Sequence, residues 1–210
     1  MSITVVTELS PPNQVMLGTK VAGIATEKVR SILNRANISS TFYMYPWARA
    51  YDFAKQDKNT LIYSIAKTDE RQKLFHWLTP ITEYKFGLVA LSEKKLGKLN
   101  NVNQLSQYIL AVQRDDIAHE WVIAQGLKEH QHFIVSPDIE HSWKLLLNKK
   151  VDFIVESPEL MLNMLKKYNL PADTTEYILP IPALALTGYL AANKNMDPQV
   201  LERLRSAIQQ

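Results

Sequence analysis

Arg71 is the side chain in this sequence best placed to do chemistry. It follows the β-favouring run Leu61, Ile62, Tyr63 and Ile65 and precedes the aromatic-rich stretch from Phe75 to Pro80. A guanidinium at the carboxyl end of a strand in an open α/β sheet can grip a carboxylate or phosphate through two parallel hydrogen bonds. The same arginine could instead lie at the surface and pair with Asp69 or Glu70, and the residues leave both readings open. In either case Thr68, Asp69 and Glu70 read as a helix start, the hydroxyl capping free N–H groups and the acids suiting the positive end of the helix dipole.

Constellations for catalysis are not found. His130 and His132 could bind a metal from a strand, yet no third ligand is evident and a solvated loop explains them. Only six glycines occur, and none forms a phosphate-binding loop. No serine sits in a nucleophile elbow. Adjacent acids such as Asp115 and Asp116 point apart and have no partnered nucleophile. The expectation is a binding protein rather than an enzyme, with no cofactor and no metal.

The elements that would position these side chains alternate along the chain, which predicts α/β layers. Residues 3–9 read as a strand. Val21, Ile24, Val29, Ile32, Leu33 and Ala36 then share one helical face that Asn37 ends. A strand near 41–45 leads to a helix beginning around Pro46. Ile109 to Gln113, Phe133 to Val135 and Val151 to Val155 are strand candidates. They alternate with helices from Ile117, from about Asp138 and from Pro158 to Tyr168. Val200, Leu201, Leu204, Ala207 and Ile208 line a C-terminal helix, while Trp121 and Trp143 fall on apolar stripes and read as core.

Composition narrows the class. The 210 residues are 46% hydrophobic and 21% charged, as in an ordinary globular protein, and suffice for one large domain or two small lobes. A net charge of +3 is too small and too scattered to predict nucleic-acid binding, and the Lys94-Lys95-Lys98 and Lys166-Lys167 clusters are short. The absence of cysteine removes disulfides and thiolate chemistry. No apolar run approaches the roughly twenty residues of a membrane span. Neither a repeat nor a Pro/Gly-rich linker interrupts the chain.

Ser64-x-Ala66-x-Thr68-x-Glu70-Arg71, followed by Phe75 and Pro80, resembles the first-lobe signature of the family 3 solute-binding proteins. Other segments fall in matching order: Val5 to Pro12, Val21 to Val29, Tyr45 to Ala50, Leu110 to Asp116 and Lys149 to Pro158. The resemblance covers nearly the whole chain. It implies an α/β, two-lobed type II periplasmic binding-protein fold, each lobe a mixed sheet flanked by helices and the two joined by two hinge strands. Residues 1–86 with 183–210 would form lobe 1 and residues 87–182 lobe 2. The hinge crossings would fall near Tyr84 to Leu88 and Pro182 to Gly188, and a ligand cleft between the lobes would close on its solute.

Carried over residue by residue, the resemblance implies a ligand site of Glu8, Trp47, Arg49, Ser64, Ala66, Arg71, Tyr84, Asp116, Glu156 and Ser157. Arg71 would hold a carboxylate and Ser64 would supply backbone or hydroxyl contacts. Ala66 stands where a hydroxyl is usual, and Ser10 and Asn13 stand where an aromatic ring often stacks. Asp116 would cap the helix at Ile117 in place of bare N–H groups that meet a ligand anion. The acid that receives an amino group falls at Ser157 by strict spacing, with Glu156 one residue earlier. Trp47 with Arg49 is the favoured aromatic and cationic pair, while Trp77, Tyr45 and Tyr84 lie near cleft or hinge segments.

The resemblance thus implies a monomeric periplasmic receptor for a small polar, carboxylate-bearing, amino-acid-like ligand, delivered to the membrane subunits of an ABC transporter. A second reading is an extracytoplasmic sensor module of a membrane signalling protein. A third is an enzyme, or a relative that no longer binds, on the same fold. Met1-Ser2 leads straight into a strand, so an export signal is expected to have been removed.

Overall fold

The structure, a computed structural model, describes residues 2–96, 99 and 102–209. Lys98, Met1 and Gln210 lie outside the described residues. In chain order the elements are β1 (Ile3–Thr7), β2 (Val15–Leu17), β3 (Lys20–Ala22), α1 (Ile24–Arg35), β4 (Ser40–Met44), α2 (Trp47–Gln56), β5 (Thr60–Ala66), β6 (Phe75–Leu91), β7 (Leu110–Gln113), α3 (Ile117–Ala124), β8 (Phe133–Ser136), α4 (Ile139–Leu147), β9 (Phe153–Glu156), α5 (Pro158–Lys167), β10 (Thr175–Asn193) and α6 (Pro198–Ile208). They form two compact units: Met1–Glu83 with Leu186–Gln210, and Tyr84–Ala185.

In the first unit the strands run in the order β4-β1-β5-β10. β1 pairs in parallel with β4 and β5, whereas β10 pairs antiparallel with β5 through Gly188 to Ala192. β5 is almost wholly buried, which is why it reads as a continuous apolar run instead of an alternating one. Ala25, Val29, Ile32 and Leu33 of α1 meet Leu201, Leu204 and Ala207 of α6 in one core. Each of these helices satisfies the other's terminal carbonyls: Arg203 donates to Ala36 O at 3.1 and 2.8 Å, and Arg35 donates to Ala207 O at 2.9 Å.

The second unit is a mixed sheet of order β6-β9-β7-β8. β7 is parallel to β8 and β9, and β6 pairs antiparallel with β9 with Gly87 opposite Glu156. Phe133, Phe153, Leu110, Trp143 and Leu146 are buried here, and so is Trp121. In both units, therefore, the segments after β1, β4, β5, β7, β8 and β9 leave the carboxyl ends of parallel strands, where α/β sheets place their ligands.

Three details differ from the sequence reading. Val21 belongs to β3 and Ile24 is exposed, because α1 starts only after Gly23 and turns Ala25 inward. The hairpin β2–β3 went unread, since strands of three residues around Gly18 carry too little periodicity. The strands β6 and β10 also run well beyond the hinge crossings expected near Tyr84 to Leu88 and Pro182 to Gly188. Pro80, Pro180 and Pro182 argue against a strand, but all three are exposed.

Candidate functional site

The turn that carries Arg71 is not the helix start that Thr68, Asp69 and Glu70 predict. The backbone N–H groups of Arg71 and Gln72 donate to Thr68 O at 3.1 and 2.9 Å, and Leu74 donates to Arg71 O at 2.9 Å. By Phe75 the chain is already in β6, so eight residues between β5 and β6 leave no room for a helix to propagate beyond its costly nucleus. Trp77 clamps the turn by donating from its indole nitrogen to Gln72 O at 3.0 Å.

This short turn drives Arg71 inward. The residue is 1% exposed, which removes the surface alternative. Its guanidinium carbon lies 5.4 Å from the Trp47 ring and 5.1 Å from the Tyr51 ring, and those rings stack 5.9 Å apart at 12°. Trp47 and Tyr51 stand four residues apart on α2 and so share a face. Trp47 is itself part of the core, packed with Val6, Ala50, Ala54, Ile62, Ile65 and Phe75. The aromatic faces thus fix a cation in a partly desolvated place, where cation–π attraction is worth about 2 kcal/mol or more. Arg49, on the same helix, is exposed and lies over Tyr45 at 4.2 Å, so it does not join Trp47 and Arg71.

Beside that cation, β5 carries a bulge. Tyr63 is paired with Leu190 and Ile65 with Tyr189, leaving Ser64 as the extra residue, with φ of 63°. A left-handed serine costs about 1–3 kcal/mol and survives only when its surroundings over-determine it. The surroundings do so here. Gln14 Nε2 donates to Ser64 Oγ, and Thr26 Oγ1 lies 2.7 Å from the Tyr63 hydroxyl. Gln14 is fully buried, and among the described residues no donor meets its Oε1, which costs about 1–3 kcal/mol. Ala66 closes β5 and is buried, and Glu8, directly after β1, is half-buried.

The loop holding Gln14 is anchored on α1. Pro12 O accepts from Ile24 N at 3.2 Å, and Asn13 O accepts from Ala25 N at 3.0 Å and Thr26 N at 3.4 Å. The carbonyls approach so closely that a Cβ on Gly23 would lie 2.4 Å from Asn13 O, and Gly23 has φ of 113°. The first N–H groups of α1 are therefore spent within the chain. Ser10, 7% exposed, bridges to Gln14 and closes the loop.

In the second unit the strand ends carry caps and acids. Asp116 accepts from Ile117 N at 2.6 Å, in the capping role its sequence position predicts. Asp138 accepts from His141 N at 2.8 Å, and Ser157 Oγ from Leu160 N at 3.2 Å. Ser157 is thus engaged as the cap of α5, while Glu156, the last residue of β9, is 1% exposed. Tyr84 is buried and stacks on Phe86 at 5.0 Å. His132 accepts from Lys128 N through Nδ1 at 2.9 Å, and His130 is exposed. Among the described residues no group of three or more His, Cys, Asp or Glu could hold a metal ion. None of the helices described is long and apolar enough to cross a membrane.

Gln14 and Tyr51 are the two residues that sequence reasoning missed. The i, i+4 spacing of Tyr51 from Trp47 was available as a signal. Gln14 gives none, because a glutamine after Pro-Pro-Asn reads as a solvated loop.

No protein-family model matches the chain, and no curated protein does. Its fold is that of the type II periplasmic binding proteins. A histidine kinase sensor domain with similarity to periplasmic binding proteins superposes with a TM-score of 0.82 at 17% identity, covering 99% of this chain and 89% of that one. The substrate-binding protein of an amino acid ABC transporter gives 0.79 at 15% identity, covering 100% and 92%. A periplasmic binding protein of the arginine third transport system of Legionella pneumophila gives 0.78 at 18% identity, covering 100% and 93%. At such identities the likeness is one of fold.

Proposed function

We propose that the chain is a family 3 solute-binding protein, a periplasmic receptor that captures a small, carboxylate-bearing, amino-acid-like solute and passes it to an ABC transporter. The observation that carries the reading is Arg71, a buried guanidinium held on the Trp47 and Tyr51 rings close behind the carboxyl end of β5. A cation so placed suits a carboxylate, and Ser64 and Glu8 stand at neighbouring strand ends of the same unit. In this reading the two compact units are lobes that close on the ligand, with Asp116, Glu156 and Ser157 contributed by the second lobe and Tyr84 at the hinge. The acids Glu8, Asp116 and Glu156 select a solute with a cationic end opposite its carboxylate. In this reading the protein acts by binding, as the binding proteins among its structural neighbours do.

Likeness to a sensor domain of a histidine kinase supports a second reading, in which the same closure signals across a membrane. Cell fractionation with an antibody separates the two: release with the periplasmic contents supports delivery, and retention in the membrane supports sensing.

The binding reading is tested by refolding the protein free of carried-over ligand and screening amino acids, polyamines, small carboxylates and peptidoglycan fragments by thermal shift. A ligand at about a hundred times its dissociation constant adds roughly 2.7 kcal/mol of stability. Arg71→Ala is expected to cost about 2–5 kcal/mol of affinity for any hit, as removal of one member of a buried charge pair does. A hit whose affinity survives that substitution sinks the assignment of Arg71, and a flat panel sinks the receptor.

A further inference from the structure

The polar contact between Gln14 and Ser64 joins two parts of the first unit that the sequence keeps fifty residues apart. Ser64 is the bulged residue of β5 and lies in the left-handed region, which a serine leaves unless something holds it. Its hydroxyl accepts from Gln14 Nε2, and Gln14 is fixed in turn: its backbone N–H donates to Ser10 O at 2.9 Å, and its carbonyl accepts from Ser10 N at 3.0 Å. The adjoining Asn13 carbonyl is pinned to α1 by Ala25 N and Thr26 N. A rigid loop therefore presents one donor to the one strained residue of the strand beside Arg71.

Packing alone does not account for a glutamine here. The site is fully buried, and among the described residues no donor meets the amide oxygen, so an apolar side chain of the same size would avoid a desolvation cost. What the apolar side chain would lose is the grip on Ser64. From this we propose that Gln14 is a positioning residue of the solute site: it holds Ser64 in the left-handed bulge from which Ser64 meets the ligand. The inference rests on the receptor reading above, but its core, the hold of Gln14 on Ser64, needs no ligand to be tested.

The experiment compares wild type, Gln14→Met, Ser64→Gly and the double variant, all full-length and isotopically labelled. Without ligand, NMR reads the backbone φ of residue 64 from its three-bond coupling and the hydrogen exchange of the amides around it. In Gln14→Met the coupling is expected to move toward extended values and exchange at Ser64 and Ile65 to rise about tenfold, while exchange in α6 stays put. Calorimetry with L-arginine and L-glutamine as probes is then expected to show affinity about tenfold weaker in Gln14→Met, the loss of about one good hydrogen bond. In the Ser64→Gly background the further effect of Gln14→Met on both readouts should nearly vanish, because glycine takes a left-handed φ at no steric cost.

An unchanged coupling and exchange rate in Gln14→Met overturns the proposal, and so does a released Ser64 that leaves probe affinity intact. If wild type fails to bind any solute of the wider panel, the receptor reading falls. The ligand-free measurement then still decides whether Gln14 governs Ser64.

Discussion

The two units treat the carboxyl ends of their parallel strands differently. In the first, two candidate residues sit in the core: Arg71 is buried against Trp47 and Tyr51, and Trp47 packs with Val6, Ile62 and Phe75. In the second, Asp116, Asp138 and Ser157 follow their strands as helix caps, each bound to a backbone N–H of its own helix. The first unit thus ties its candidate residues to the hydrophobic core, and the second ties its own to local helix caps, with buried Glu156 as its exception. A side chain that fixes a cation in a dry place must itself be immobile, whereas a cap needs only a local turn.

Trp47→Ala gives the strongest test of that contrast. It should destabilise the protein by about 3–5 kcal/mol in denaturant unfolding, because it opens a cavity beneath a buried guanidinium. Arg49→Ala, two residues along and exposed, should change stability by less than about 1 kcal/mol, and equal effects would break the distinction.

Gly87→Ala probes the second unit where backbone, not side chain, is tight. A Cβ there would meet the Tyr177 hydroxyl at 2.3 Å and Leu179 O at 2.5 Å. Overpacking of this kind costs about 1–3 kcal/mol, read as a lower denaturation midpoint. Gly18→Ala meets nothing within 4 Å and serves as its control, bearing only the cost of a φ of 60°.

Asp116→Ala sharpens the capping side of the comparison. Loss of the cap on α3 should cost about 1 kcal/mol. A loss several times larger would mean that Asp116 carries weight in the fold beyond its cap.

The smallest effects are titrations, and they fall at opposite ends of the pH scale. Burial raises the Tyr168 hydroxyl, aided by Glu140 and Asp138, and burial also raises Tyr177. A folded pKa above the unfolded value contributes stability that is complete below about pH 10 and is lost as pH rises through the folded value. The second unit should therefore loosen first in alkali, and Tyr168→Phe should blunt this. In the first unit, Glu70's own backbone N–H, chiefly, holds its carboxyl below the usual value, so that contribution is present at neutral pH and fades as acid is added. Hydrogen exchange followed from acid to alkali in both units checks the pair of signs.

Much of the local structure was legible in the residues. The period-3.6 stripe of α6, the cap at Asp116 and the strand-like run at Leu61 to Ile65 each follow from interactions within about a dozen residues. The alternation that predicts α/β layers follows from the same short-range preferences. The turn at Arg71 was misread, because capping chemistry at Thr68 is common to helix starts and tight turns, and only the early entry into β6 decides between them.

The sequence by itself determined which residue types reach the strand ends, since periodicity fixes elements and elements fix ends. Only the tertiary structure decided which of them meet. Arg71 came to Trp47 and Tyr51 and left Arg49 on Tyr45, and Gln14 reached Ser64 across fifty residues. The physical reason is range: propensity and capping act along the chain, while a bulge, a ring face and a buried amide find their partners through packing, which no local pattern encodes.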